Sequence, residues 1–253
     1  MAQTAVEIDH TPFEHDGSTD IGVVVCHGFT GSPHSMRPWA QQLAAQGWSV
    51  RLPLLPGHGT HWKDANRTTW RDWYGVVDKA FDELKGRCAK VFVCGLSMGG
   101  GLALRLAEEH GDDIAGVVVV NPSVILVRWD AKLLPVLAKF VPSAKAIGND
   151  IAMPGVFEGA YDRTPIKAAA QLRLFHTAIR ADLAKVTQPL LLFRSANDHV
   201  VEPVNSQIVL KGVKSADVEE VVLDKSYHVA TLDHDAPRIF AGSVDFIKRI
   251  SGR

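Results

Sequence analysis

The chain has 253 residues, enough for one large α/β domain or two small ones. Apolar residues make up 46% and charged residues 22%, the balance of a globular protein with a sizeable core. A formal charge of −1 excludes the basic field that nucleic acid or an anionic membrane requires of a partner.

The opening stretch has no basic region followed by an apolar run, so no signal peptide is expected. No apolar run anywhere approaches the roughly 20 residues of a membrane helix, and the expectation is a cytoplasmic protein without stable membrane insertion. The first strand is predicted at Gly22–Cys26 (GVVVC), followed by the glycine-rich loop Cys26-His27-Gly28-Phe29-Thr30-Gly31-Ser32. A helix is predicted over Met36–Gln46, stopped by Gly47. A strand follows at Ser49–Leu52, and a helix at Thr69–Lys85 with Trp70, Trp73, Val77, Phe81 and Leu84 at spacings of three and four. Next come the strand Val91–Cys94, the helix Met98–Glu109 and the strand Val117–Val120. From Asn121 to Pro189 no strand is predicted, only helices at Ala131–Phe140 and Thr164–Ala184. The strand pattern resumes at Leu190–Phe193 and Val218–Leu223, and the last helix is Ala236–Arg249. Unbroken β-branched runs alternating with amphipathic helices imply a mostly parallel sheet covered on both faces. The strandless interval reads as a helical cap inserted in that sheet, with two crossover helices and a long loop as the plainer alternative. The domain expectation is core 1–121, cap 122–187 and core 188–253. The three cysteines, Cys26, Cys88 and Cys94, have neither a disulfide count nor a zinc spacing; Cys26 and Cys94 read as small buried hydrophobes.

In such sheets ligands bind beyond the C-terminal strand ends. Gly95-Leu96-Ser97-Met98-Gly99 follows the strand Val91–Cys94 and opens a helix. A serine on so tight a turn projects its hydroxyl outward, and close backbone approach excludes side chains at the flanking glycines. Ser97 is therefore the candidate nucleophile. Among eleven histidines, His228 lies past the last strand and before the last helix, where it can serve as base; His58, His61, His199 and His234 read as exposed loop residues. Asp198, after the strand Leu190–Phe193, is the acid that would orient His228, with Glu202 the rival. The order Ser97, Asp198, His228 is the one this architecture uses. The amides of Phe29 and Met98 are the candidate oxyanion donors. Asn121, at a strand end, is a candidate polar contact for substrate.

The segments HGFTGSPHSM, LPLLPGHGT, GLSMGG, SANDHVV and DKSYHV, in this order, resemble those of small bacterial carboxylesterases and monoacylglycerol lipases, over residues 20 to 250. The resemblance implies an α/β-hydrolase core with a small helical cap, no metal and no cofactor, and the same triad and oxyanion positions. Ile147-Gly148-Asn149-Asp150-Ile151 and Pro154 to Tyr161 are similar to the cap of bacterial monoacylglycerol lipases. By that resemblance Glu158 accepts glycerol hydroxyls and Ile147 packs beside it. The implied partner is a small-molecule ester such as a monoacylglycerol; oligomeric state has no signature. A broad short-chain carboxylesterase and a non-catalytic binding protein on the same fold stand as alternatives. Haloperoxidase-like and C–C hydrolase chemistry share the triad, whereas epoxide hydrolases and dehalogenases of this fold carry Asp where Ser97 stands.

Overall fold

The computed structural model describes residues 8–127, 134–146 and 148–253. Seven strands form one sheet in the order β1-β3-β2-β4-β5-β8-β9: β1 Phe13–His15, β2 Ser18–Cys26, β3 Trp48–Leu52, β4 Lys90–Leu96, β5 Ile114–Val120, β8 Leu190–Ser195 and β9 Val218–Leu223. All neighbours pair in parallel except β1, which runs antiparallel to β3 at the edge.

The central strands show why their apolar runs are unbroken. Successive side chains of a strand point to opposite faces. Val24, Val93, Val117 and Val119 enter one buried cluster, and Val23, Val25, Phe92, Val118 and Val120 the other. The first cluster is covered by α3 (Trp70–Lys85) and α4 (Met98–His110), the second by α1 (Arg37–Ala44) and α8 (Ala236–Ser251). Helix α3 begins where the sequence places it: the Thr69 hydroxyl accepts from the Asp72 amide, and the Asp72 carboxylate accepts from the Thr69 amide at 2.7 Å.

Between the adjacent strands β5 and β8 lies an insertion with α5 (Leu134–Leu137), α6 (Ile166–Asp182) and a small antiparallel pair, β6 (Ser143–Lys145) and β7 (Arg163–Pro165). This corrects the expectation of a strandless interval. Three-residue strands carry too few residues to show a two-residue period. Of the predicted helix Ala131–Phe140 the first three residues lie outside the described ones, and among the described residues the helix spans Leu134–Leu137. The short α2 (Trp62–Ala65) and α7 (Val204–Gly212) complete the helices among the described residues, none of which is long and apolar enough to cross a membrane.

Candidate active site

The C-terminal ends of β2, β4, β5, β8 and β9 lead directly into His27–Phe29, Ser97, Asn121, Asp198 and His228. Ser97 joins β4 to α4 at φ 57° and ψ −120°. A non-glycine residue held in such a sparsely populated region costs about 1–3 kcal/mol. The turn is fastened on three sides: the Ser97 amide donates to Val120 O at 3.0 Å, and the Ser97 carbonyl accepts from Gly101 at 3.2 Å and Ser123 at 3.0 Å. A Cβ on Gly95 would stand 2.1 Å from Gly99 O, and one on Gly99 2.0 Å from Cys26 O. The glycine spacing is thus dictated by the turn's own backbone and by the start of α4 touching the end of β2. Met98 is the first residue of α4, so its amide has no carbonyl one turn back to bond within the helix. The glycine-rich loop passes beside it: a Cβ on Gly28 would lie 3.5 Å from Ser97 Cβ.

His228 Nδ1 donates to Asp198 Oδ2 at 2.8 Å, which leaves Nε2 as the acceptor nitrogen of the neutral ring. Both side chains are buried, at 8% and 4% exposure. The other Asp198 oxygen accepts from the amides of Val200 at 2.8 Å and Val201 at 2.7 Å. Burial of His228 disfavours the imidazolium, but the charge and hydrogen bond of Asp198, with Glu158 and Asp150 beyond it, outweigh burial and raise its pKa above the ordinary histidine value. The rival acid Glu202 lines the cavity wall, while its carbonyl caps the Asn205 amide at 3.0 Å.

Ser97 and His228 open onto a cavity of about 870 Å³, lined also by Gly28, Phe29 and Glu158. Much of its wall is aliphatic, from Ile125, Leu126, Leu134, Leu137, Ile166 and Leu172. Glu158 is 8% exposed, and burial raises its pKa against the lowering influence of His228. One of its oxygens receives a long bond from the Asn149 amide at 3.4 Å, and the Glu158 amide donates to Asn149 Oδ1 at 2.7 Å. Asn149 makes this reciprocal clamp from the left-handed region, at φ 59°. Ile147, expected beside Glu158, lies outside the described residues.

Two sequence expectations are corrected. Asn121 does not line the cavity onto which Ser97 opens: it is 2% exposed and absent from that lining. Its amide nitrogen donates to Ser195 Oγ at 3.0 Å and to His228 O at 2.8 Å, and its oxygen accepts the Ser195 amide at 2.7 Å. It braces the histidine loop, at φ 44°. His58 is not an exposed loop residue but is 1% exposed, with Nδ1 donating to Pro56 O at 3.1 Å and its ring stacked on Tyr161. Burial pushes its pKa down to about 4.

His27 has a structural role. Its Nδ1 donates to Gly28 O at 3.0 Å and its Nε2 accepts the Leu55 amide at 3.1 Å, a pairing only the neutral ring can make. Burial, with His58 beside it, lowers its pKa to about 3. His176 on α6 is likewise buried, against Ser123 Oγ at 3.2 Å, and burial followed by Arg180 holds it down at about 3. Sequence reasoning missed Asp233, a 1% exposed carboxylate that accepts amides from Ala152, Met153, Tyr227 and His234. Two of those partners lie some 80 positions away, so only the turn-like Asp233-His234-Asp235 run offered any local signal.

A thermostable monoacylglycerol lipase of Bacillus sp. (strain H-257) is 44% identical over 234 residues, 92% of each chain. A carboxylesterase of Bacillus subtilis (strain 168) is 23% identical over 94% of this chain and 96% of its own. A solved structure from work on LipS and LipT, two metagenome-derived lipolytic enzymes, superposes with a TM-score of 0.92 at 37% identity, covering 95% of this chain and 98% of the other. The monoacylglycerol lipase of Paleococcus ferrophilus shares the fold, with a TM-score of 0.80 at 19% identity over 94% and 98% of the two chains. Residues 23–242 match the family model of the alpha/beta hydrolases, and with the strand order, the serine turn and the histidine–aspartate pair described above, the chain belongs to the alpha/beta hydrolase family.

Proposed function

We propose that this carboxylic ester hydrolase cleaves monoacylglycerols to fatty acid and glycerol through an acyl-enzyme on Ser97. His228 Nε2 takes the hydroxyl proton as Ser97 Oγ attacks the ester carbonyl. Asp198 holds the imidazole in the accepting tautomer and stabilises the imidazolium. The oxyanion is received by the amides of Phe29 and Met98; a single donor of this kind contributes on the order of 3 kcal/mol. The tetrahedral intermediate collapses, the bond to the glycerol oxygen breaks, and His228 returns its proton to that oxygen. Water then enters, gives a proton to His228 and attacks the acyl carbon. Ser97 Oγ leaves with the proton, and the fatty acid is released. In this reading residues 122–187 act as a cap over the cavity, whose aliphatic wall takes the acyl chain.

The observation that carries the substrate assignment is Glu158. A carboxylate buried in a cavity with a largely aliphatic wall, with one long bond among the described residues, calls for hydrogen-bond donors. Glycerol hydroxyls are such donors, and the name of the Bacillus sp. relative agrees. The test is a hydrolysis panel of 1-monoacylglycerols, triacylglycerols, p-nitrophenyl esters and fatty-acid methyl esters. Ser97→Ala abolishes turnover of all of them and reaction with a fluorophosphonate probe. Glu158→Ala loses about ten- to a hundredfold on monoacylglycerol, the worth of a hydrogen bond to a charged group, and little on the methyl ester of the same acid. Equal losses on both esters would favour a general carboxylesterase; residual turnover by Ser97→Ala would remove the nucleophile.

A further inference from the structure

The loop carrying His228 is fastened to the β5–β8 insertion. Asp150 Oδ2 accepts the backbone amide of His228 at 3.1 Å and that of His199 at 3.1 Å, while Oδ1 bonds His199 Nδ1 at 2.8 Å. The Asp150 carbonyl accepts the Val229 amide at 3.1 Å. Asp233 continues the seam, taking the Tyr227 amide at 2.9 Å and, from the insertion, those of Ala152 at 2.7 Å and Met153 at 3.0 Å. The amides of residues 227, 228 and 229 therefore all end on Asp150 or on a carboxylate shared with residues 152 and 153. The neighbouring residue Asn149 clamps Glu158, so two consecutive residues hold the cavity carboxylate and the histidine loop.

We propose that Asp150 is a positioning residue for the reaction, a carboxylate borne by the insertion that fixes the His228 backbone and adds a further negative charge near the imidazolium formed during attack. The inference rests on His228 being the base. Charge-assisted bonds to backbone amides are the stronger class, and a displacement of about 1 Å in a reacting group costs about a hundredfold in rate. Among the described residues the charged groups acting on His228 are Asp198 from the β8–α7 loop and Glu158 and Asp150 from the insertion; Asp150 also engages His199. Burial opposes the imidazolium and these three carboxylates favour it.

The experiment compares wild type, Asp150→Asn, Asp150→Ala and His228→Ala. It measures kcat and KM on a short p-nitrophenyl ester and on a 1-monoacylglycerol, the pH dependence of kcat/KM, and the thermal midpoint. Asn keeps an oxygen for the His228 amide and loses the charge. Its acid limb moves to lower pH, since removing a nearby negative charge makes the imidazolium easier to deprotonate, with kcat down by less than about tenfold. Ala loses the acceptor as well, and kcat falls by about ten- to a hundredfold on both esters with KM within about twofold. An acid limb that stays at the wild-type pH in Asp150→Asn, or a loss in Asp150→Ala carried by KM alone, overturns the proposal and leaves Asp150 a fastener of the insertion. Should Asp150→Ala fail to fold, the isosteric Asn variant decides alone. Turnover retained by His228→Ala would instead sink the assignment of the base, whatever the Asp150 variants do.

Discussion

Replacing Asp198 by Asn tests the site most directly, because the structure dictates which way the amide must turn. One Asp198 oxygen accepts two backbone amides, Val200 and Val201, at 2.8 and 2.7 Å; the other accepts His228 Nδ1–H at 2.8 Å. An asparagine has one acceptor oxygen. Turned so that its NH2 meets Val200 and Val201, it would set donors against two donors and forfeit two hydrogen bonds, each contributing about 1 kcal/mol, besides burying unsatisfied amides at about 1–3 kcal/mol apiece. The oxygen therefore stays with the loop and the NH2 faces His228, which must then accept at Nδ1 and carry its proton on Nε2. In that tautomer the ring cannot take the Ser97 proton. The same substitution in the serine-protease triad lowers kcat by about 10⁴, or about 5.5 kcal/mol in the barrier. The expectation here is a loss of three to four orders of magnitude in kcat with KM and the thermal midpoint little changed, measured with a p-nitrophenyl ester. Glu202→Gln is the control, with a loss of less than about threefold, since His228 bonds Asp198. A mild loss in Asp198→Asn, or a larger one in Glu202→Gln, would refute the assignment of the acid.

With His228 as the proposed base, the kcat/KM profile is expected to rise with pH along one limb, because only the neutral ring accepts a proton. The ordinary value is 6.5 and the carboxylates around His228 raise it, so the limb lies above 6.5 and activity falls away as pH drops through it. A limb below 6.5 would contradict the charge environment; a pH-rate series on a non-ionising ester reads it out. Gly99→Ala places a Cβ where Cys26 O and His27 O stand 2.0 and 2.7 Å away, all backbone, so the α4–β2 contact must open. Destabilisation of at least about 1–3 kcal/mol, seen as a lower denaturant midpoint, is expected, and an unchanged midpoint would mean the turn is looser than described.

The parts of this molecule legible in its sequence are those whose physics is local. A strand buried on both faces must be apolar at every position, so β2, β4, β5 and β8 announce themselves, although the polar first third of β2, Ser18–Asp20, does not. The edge strand β1 and the pair β6–β7 are three residues each and half exposed, and nothing in their composition sets them apart from loops. The turn at Ser97 was readable because it forces glycines at fixed offsets, and the placing of Asp198 after β8 and His228 after β9 because topology orders them. Asn121 was misread because a strand-end position says where the backbone goes, while the side chain's three bonds reach residues 74 to 107 positions onward. His58 was misread for a related reason: its loop folds back under Tyr161, over a hundred positions along the chain. The seam through Asp150 and Asp233 was not legible as a seam, since what these carboxylates mostly accept are backbone amides, which every residue type but proline supplies.

The three histidines sealed in neutral form, His27, His58 and His176, set how far this molecule tolerates acid. In the unfolded chain each takes up a proton near pH 6.5, while in the folded one they refuse it until about 3, 4 and 3. Below 6.5 the unfolded chain thus binds up to three more protons than the native one, and stability falls with every step down in pH. Each such proton weighs about 1.4 kcal/mol per pH unit, so the three together erode about 4 kcal/mol per unit between pH 6 and pH 4. Against a native stability of about 5–15 kcal/mol, the two units of that window remove about 8 kcal/mol, a large share of the whole. None of these rings is assigned a part in the chemistry at Ser97, so the acid boundary of the enzyme is written into its packing, and replacing His176 by a neutral residue of similar shape should move that boundary down without touching turnover at neutral pH.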